Sequence, residues 1–343
     1  MITGCAGFIG SNVACRLLSE GHEVIGIDSM NRYYPPELKK HRVDGLREEF
    51  GDRFTFITAN ILDLQQLKFH LPSNRSIAAV LHFAAYAGVR YSIQEPILYT
   101  STNIDGSVEV LEFAKRYEIK KVLLASSSSV YGNGSAILDG DTGEIKDIRK
   151  SHEGRGCYPM SPYAASKAAM ELMGLTYYKL YGMDILIPRY FTVYGEAGRP
   201  DMAYFKFMLK LAKGERIDIY GDGKQLRDMT HISDAVDATV KMLDLKGYQV
   251  INVGGGSPAM LDKVISQICT EMGIVPNMRY TKPMLGDPLA TWADNAKAKM
   301  IMGWEPKVGI EEGLQRTVKW FMENSWLMEI FGKEAETNAD QDS

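Results

Sequence analysis

Tyr163 and Lys167 stand four residues apart in YAASK, and on a helix residues i and i+4 share a face. A lysine ammonium one turn from a phenol favours the phenolate, and its donors can also hold a ribose. Tyr163 is therefore a candidate proton-transfer group near neutral pH. Alone, such a spacing arises by chance in any long helix. Four consecutive hydroxyls, Ser126 to Ser129, close the apolar run KVLLA and precede VYG. A polar loop would account for them; so would a site in which hydroxyls and not acids are wanted.

Near the N-terminus, TGCAGFIG reads G-x-x-G-x-x-G and opens onto Ser11. Glycines there allow a tight turn, close approach of backbone to a pyrophosphate, and close helix packing, with the helix N-terminus facing the phosphates. Gly4, Gly7, Phe8, Ile9 and Gly10 are thus expected to bind a dinucleotide. Asp28 follows Gly10 by 18 residues and ends an apolar run. An acid there accepts from a ribose 2′-OH and repels a 2′-phosphate, which favours NAD over NADP. Arg32 nearby keeps NADP open as the lesser alternative. Asp63 and Leu64 either reach the adenine or form a turn, and both readings stand. Phe83, Ala84 and Ala85 end another apolar run, where small side chains let a cofactor lie close.

These groups need a scaffold. Helical spacing covers Ser11 to Glu20, a region near 98–116, and a segment starting near Tyr163. Apolar strands are expected at 23–28, near 54–58, at 78–84, at KVLLASS and at 184–189. Short apolar strands alternating with helices imply a doubly wound parallel sheet. Only Met1 and Ile2 precede Thr3, so the first strand is either cut short or very brief, and a missing strand end would leave ladder groups unpaired. From about 195 the loops lengthen, and IDIYG and YQVINVG are further apart. The expected organisation is a Rossmann-type domain over 1–190, a smaller α/β lobe mainly over 191–330 with an interleaved boundary, and a polar tail over 331–343.

The bulk numbers exclude several classes. The chain has 343 residues and a net charge of −4, so no basic field points to nucleic acid. No apolar run approaches the ~20 residues of a membrane helix, and no signal peptide is visible. Cys5, Cys15, Cys157 and Cys269 lack metal-type spacing and read as reduced thiols, so a cytoplasmic protein without a metal is expected.

Together these motifs make the chain resemble an extended short-chain dehydrogenase/reductase of the nucleotide-sugar epimerase/dehydratase branch. The resemblance spans nearly the whole chain: the glycine turn, Asp28, HFAA, Asn103 in its helix, SSSSVYG, YAASK, PRYFTVYG, YGDGKQLRD and the C-terminal GD…ATWAD…GWEP. It implies an NAD-binding first lobe that includes Asn103, and a C-terminal lobe for a nucleotide sugar. It makes Ser127 the hydroxyl beside the catalytic Tyr163, with Lys167 as partner. Dehydratases of this branch carry Asp-Glu after the catalytic Thr, and UDP-glucuronate decarboxylases a Glu just before VYG; Ser128 and Ser129 stand there instead. The YFTVYG…GRPDMA stretch is similar to that of UDP-glucuronate 4-epimerases, whereas UDP-galactose 4-epimerases have Asn at Thr192. The resemblance thus implies NAD-dependent C4 epimerisation of UDP-glucuronate through a 4-keto sugar. Alternatives are a UDP-glucose or UDP-N-acetylglucosamine 4-epimerase, a decarboxylase, or a non-catalytic NAD sensor.

Implied substrate contacts are Arg90, Ser128, Ser129, Thr192, Arg199, Tyr220, Arg227 and Asp287, with Arg227 on the diphosphate and Asp287 on the uridine ribose. The chain departs from the pattern at Met284, where galactose epimerases carry a second diphosphate arginine, and at Tyr86, which replaces a Gln. LDGDTGEIKDIRK forms an extra loop expected near the substrate mouth, and Pro162 precedes Tyr163. The family often pairs as a homodimer through the helix near 98–116 and the one beginning at Tyr163.

Overall fold

Apolar strands buried on both faces need helices on both sides, and the chain supplies them in alternation. In the computed structural model, residues 1–70, 76–139, 145–284 and 286–331 are described. Eight parallel strands form the main sheet. Across it run Tyr248–Val253, Asp184–Tyr190, Lys121–Leu124, Ala79–His82, Ile2–Thr3, Val24–Asp28 and Phe54–Thr58. Ser126–Ser127 also pairs with Asp184–Tyr190. From the central Ile2–Thr3 the chain runs outward to Phe54–Thr58, then returns to Ala79–His82 on the other side. This is the reversal of order at which doubly wound sheets bind ligands, beyond the strands' carboxyl ends.

The central strand is two residues long, yet its ladder is complete. Leu81 N donates to Met1 O at 2.9 Å, Phe83 N to Thr3 O at 3.0 Å, and Cys5 N to Ile27 O at 3.2 Å. One face of the sheet is covered by the first helix, Phe8–Ser19, which packs on Ile232–Met242. Gly106–Arg116 and Pro162–Tyr181 cover the other. The tyrosine-bearing helix, Pro162–Tyr181, starts cleanly: the Ser161 hydroxyl accepts from Ala164 N at 3.2 Å, and Pro162 sits in the first turn, where its missing N–H costs nothing. The helix before it in space is not regular. Pro96–Tyr99 and Gly106–Arg116 are α-helical, but Thr100–Asp105 between them is a π-helical turn.

The second lobe has its own core, in which Phe205, Met208, Ile219, Ile268 and Leu314 meet. It is built on a three-stranded sheet (Thr192–Tyr194, Leu226–His231, Pro258–Met260), a parallel pair (Ile217–Tyr220, Met278–Thr281) and the helices Ala203–Ala212, Leu261–Met272 and Ile310–Glu323. One segment read from sequence as second-lobe returns to the first. Tyr248–Val253 runs parallel to Asp184–Tyr190 in the main sheet, where its apolar end buries Ile251 and Val253. The extra loop is partly a hairpin of Ala136–Leu138 with Ile145–Ile148, and residues 140–144 lie outside the described residues. So does the tail from 332 on; Phe331 packs against the second core.

Candidate active site

The carboxyl ends of the strands and the second lobe enclose a cleft of about 1130 Å³. Its inner floor is the glycine turn. Gly4 has φ +70°, and a Cβ there would lie 2.5 Å from Ala84 N. A Cβ on Gly10 would lie 2.3 Å from Gly4 O, so the first helix approaches this closely only with glycine. Gly7 caps that helix without any side-chain hydrogen bond. The amides of its first turn are thus left for an anion. Gly4, Gly7, Phe8, Ile9, Gly10, Phe83, Ala84 and Ala85 all line the cleft.

Asp28 lies on the same wall and is buried. Its carboxylate accepts from Ala6 N (3.2 Å) and Met30 N (2.9 Å). Lys39 Nζ, also buried and facing the cleft, donates to it at 3.3 Å and to Asn31 Oδ1 at 2.9 Å. Lys39 is the cation beside this acid; Arg32 is exposed and outside the cleft wall. A dinucleotide fits this wall: an uncapped helix start for phosphates and an acid for a ribose hydroxyl.

Three residues expected to meet the cofactor, Asp63, Leu64 and Asn103, do not line the cleft. Asn60, Ile61 and Leu62 line the cleft where Asp63 and Leu64 were expected. Leu64 is fully buried beneath the sheet among Val80, Val110 and Leu111, and Asp63 faces outward. Helical turning after Asn60 carries the pair past the wall. Asn103 is behind the wall, with both amide donors engaged: it accepts from Tyr86 N (2.8 Å) and donates to Tyr86 O (2.9 Å) and Ser166 Oγ (3.0 Å). It clamps the Tyr86 loop to the tyrosine helix. None of the described residues of the extra loop lines the cleft either.

Ser127, Tyr163 and Lys167 come together on the cleft floor. Burial raises the Tyr163 phenol, while a hydrogen bond with Ser127 and the charge of Arg199 pull it back. Lys167 donates from Nζ to Ala125 O at 2.7 Å, and burial together with Arg199 lowers it to about 8. Arg199 is therefore a cation acting directly on the phenol, which spacing in sequence did not reveal. It forks onto Asp201 through Nε (2.9 Å) and Nη2 (2.6 Å). Burial alone would raise the Asp201 carboxyl, but Arg199 holds it below its usual value. Tyr33 donates to Ala87 O (2.6 Å) and Asp201 Oδ2 (3.3 Å), and Tyr99 lies edge-on to Tyr163 at 6.2 Å. Tyr33, Lys39 and Tyr99 were not singled out from sequence, and Asp201 was seen only as part of GRPDMA, not as the partner of Arg199.

The four serines have separate surroundings. Ser126 is buried and donates to Glu171 Oε1 at 2.5 Å, and Glu171 is also held by Arg189. Ser127 Oγ accepts from Ser129 N (3.2 Å) and meets Ser129 Oγ at 3.1 Å. Ser128 and Ser129 face the cleft beside Thr192. At the outer end Arg90 bonds Asp287 at 2.8 Å and stacks over Tyr220 at 4.5 Å, and Arg227 lines the same wall. All eight residues expected to meet a substrate thus line one cleft.

Residues 1–254 match the profile of the NAD dependent epimerase/dehydratase family. The chain belongs to that family. It is 41% identical over 329 residues to a UDP-glucuronate 4-epimerase of Thermodesulfobacterium geofontis, covering 96% of this chain and 97% of that one. Among solved structures it is similar to the UDP-glucuronic acid 4-epimerase of Bacillus cereus in complex with UDP-glucuronic acid and NAD (33% identity, 94% and 98% of the two chains, TM-score 0.83). A dTDP-glucose 4,6-dehydratase of Streptomyces venezuelae is as close in backbone (28% identity, 96% and 98%, TM-score 0.85). Backbone likeness therefore does not choose the reaction, and the side chains must. No helix among the described residues is long and apolar enough to cross a membrane, and no cluster of potential metal ligands is found among them.

Proposed function

We propose that this chain is an NAD-dependent isomerase that interconverts UDP-glucuronate and UDP-galacturonate at C4 through a transient 4-keto sugar. The observation that carries this choice is the pair Ser128–Ser129. Hydroxyls face the cleft where the resembling dehydratases and decarboxylases place acids, so no carboxylate stands there to eliminate water or to repel a sugar carboxylate.

Bound NAD supplies a reversible hydride acceptor. Gly4 to Gly10, Asp28 and Phe83 to Ala85 are the residues that would hold it, with Asp28 available to a ribose hydroxyl. Tyr163 takes the C4 hydroxyl proton and returns it. Ser127 orients the phenol, and the ammonium of Lys167 and the guanidinium of Arg199 favour its ionised form. The keto sugar is a β-keto acid and loses CO2 most readily when its carboxylate is desolvated and perpendicular to the ketone plane. Ser128, Ser129 and Thr192 donate hydrogen bonds that stabilise the carboxylate charge and fix its orientation. Arg199 is the cation available to it if released from Asp201, while Arg227 and Asp287 hold the diphosphate and uridine ribose, with Arg90 and Tyr220 between.

We further propose a homodimer. Ile97, Leu172 and Leu180 are 82%, 65% and 66% exposed on the two helices that would pair, and such apolar faces favour a partner. Four free thiols fit a reducing cytoplasm.

A single NMR experiment tests the reaction. Protein, NAD and UDP-glucuronate are mixed and the anomeric signals followed. UDP-galacturonate without CO2 is expected. UDP-xylose or a 4-keto pentose refutes the assignment, and inertness toward UDP-glucuronate with turnover of UDP-glucose or UDP-N-acetylglucosamine moves it to those sugars.

A further inference from the structure

The helix Ala203–Ala212 is anchored by Tyr204, Phe205, Phe207 and Met208, all buried. That anchoring leaves Lys206 and Lys210, one turn apart, on the wall of the cleft. The two lysines differ. Lys210 is tethered, with Nζ donating to Arg216 O at 3.3 Å and lying 3.8 Å from Asp218. Lys206 has no hydrogen-bonding or salt-bridging partner among the described residues. Lys206 is exposed, yet partial desolvation lowers its pKa, Asp201 opposes this, and Arg90 and Lys210 add to it. Lys206 thus shares the cleft wall with the Arg199–Asp201 pair and with Arg90.

The outer wall has an imbalance of charge. Arg90 and Arg227 share one nearby acid, Asp287. Lys206 adds a third cation to this wall, and the acid that acts on it, Asp201, is already forked by Arg199. A cleft wall with surplus cations, one of them without a hydrogen bond or ion pair among the described residues, suits an anion of more than single charge.

We infer that Lys206 is a diphosphate-binding residue, supplying the second cation that Arg227 alone does not provide. The inference rests on the proposed reading of the cleft as a UDP-sugar site. A lysine suits the place, because its flexible stem lets a point charge follow the phosphates as the sugar turns over.

The test is calorimetric titration of the NAD-loaded protein with UDP, uridine and UDP-glucuronate. Lys206→Met is expected to weaken UDP and UDP-glucuronate alike by roughly tenfold or more, as for loss of a charge-assisted hydrogen bond. Uridine and NAD affinities and the melting temperature should hold, and Lys206→Arg should keep UDP affinity within about threefold of wild type. UDP affinity unchanged within about twofold in Lys206→Met overturns the inference. So does loss of UDP-glucuronate binding with UDP retained, which would put Lys206 on the sugar carboxylate. Failure of the wild-type protein to bind UDP would instead refute the reading of the cleft itself.

Discussion

Replacing Glu171 by alanine removes the acid that holds Arg189 inside the protein. Their side chains are only 4% and 5% exposed. Arg189 donates from Nε to Oε1 at 2.9 Å and from Nη2 to Oε2 at 2.6 Å, and Ser126 adds a third bond to the same acid. Charge-assisted bonds contribute about 1.5–3 kcal/mol each, and breaking one side of a buried pair costs about 3–5 kcal/mol. The Tyr131 ring 4.8 Å from the guanidinium and the Glu153 carbonyl at 3.5 Å remain, which keeps the loss near the lower figure. We expect about 3 kcal/mol, or a fall in Tm of roughly 4 °C for a chain of 343 residues. Turnover should fall as well, since Glu171 is one turn beyond Lys167 and bonds the serine that precedes Ser127. Urea unfolding and scanning calorimetry measure the stability. In Glu171→Met/Arg189→Met neither charge is buried alone, so most of the loss should return. A single variant within about 1 kcal/mol of wild type, or a double variant no better than the single, would refute the reasoning.

Three further outcomes follow from the site. Ser129→Glu should raise the ratio of CO2 to epimer, since an added carboxylate repels the one it faces; an unchanged ratio, read by NMR and CO2 release, counts against the hydroxyls' role. Asp28→Ala should narrow the preference for NAD over NADP, because Lys39 would remain to meet a 2′-phosphate; cofactor titration of both forms measures it. Lys167 is lowered to about 8, so its ammonium is present below that pH and lost above it. Initial rates should therefore decline as pH rises past 8, and a flat profile to pH 10 would show that this charge is not needed.

Much of the scaffold was legible in sequence because it depends on local signals. Alternating apolar runs and helical spacing gave the sheet, and the glycine turn and YAASK placed two walls of the cleft. What was hidden is long-range. Nothing local says that Asn103 turns its amide to Tyr86 and Ser166. Nothing near Asp28 announces Lys39, which a separate helix delivers. The strand Tyr248–Val253 reads as second-lobe because it follows that lobe's residues, while its partner is more than 60 positions earlier in the chain. Arg199 was legible as a substrate candidate, but not as a charge acting on Tyr163.

The π-helical turn at Thr100–Asp105 has a consequence for helix phase. An α-helix advances about 100° per residue, and a π turn absorbs a surplus residue without breaking the helix. Winding the same residues as a regular α-helix would force that surplus residue into the repeat and rotate everything on one side by about 100° relative to the other. Either Tyr99 would leave the edge of Tyr163, or Asn103 would leave Tyr86 and Ser166. The turn thus keeps the chemical groups of the cleft aligned, because the phase of this helix is itself part of the site.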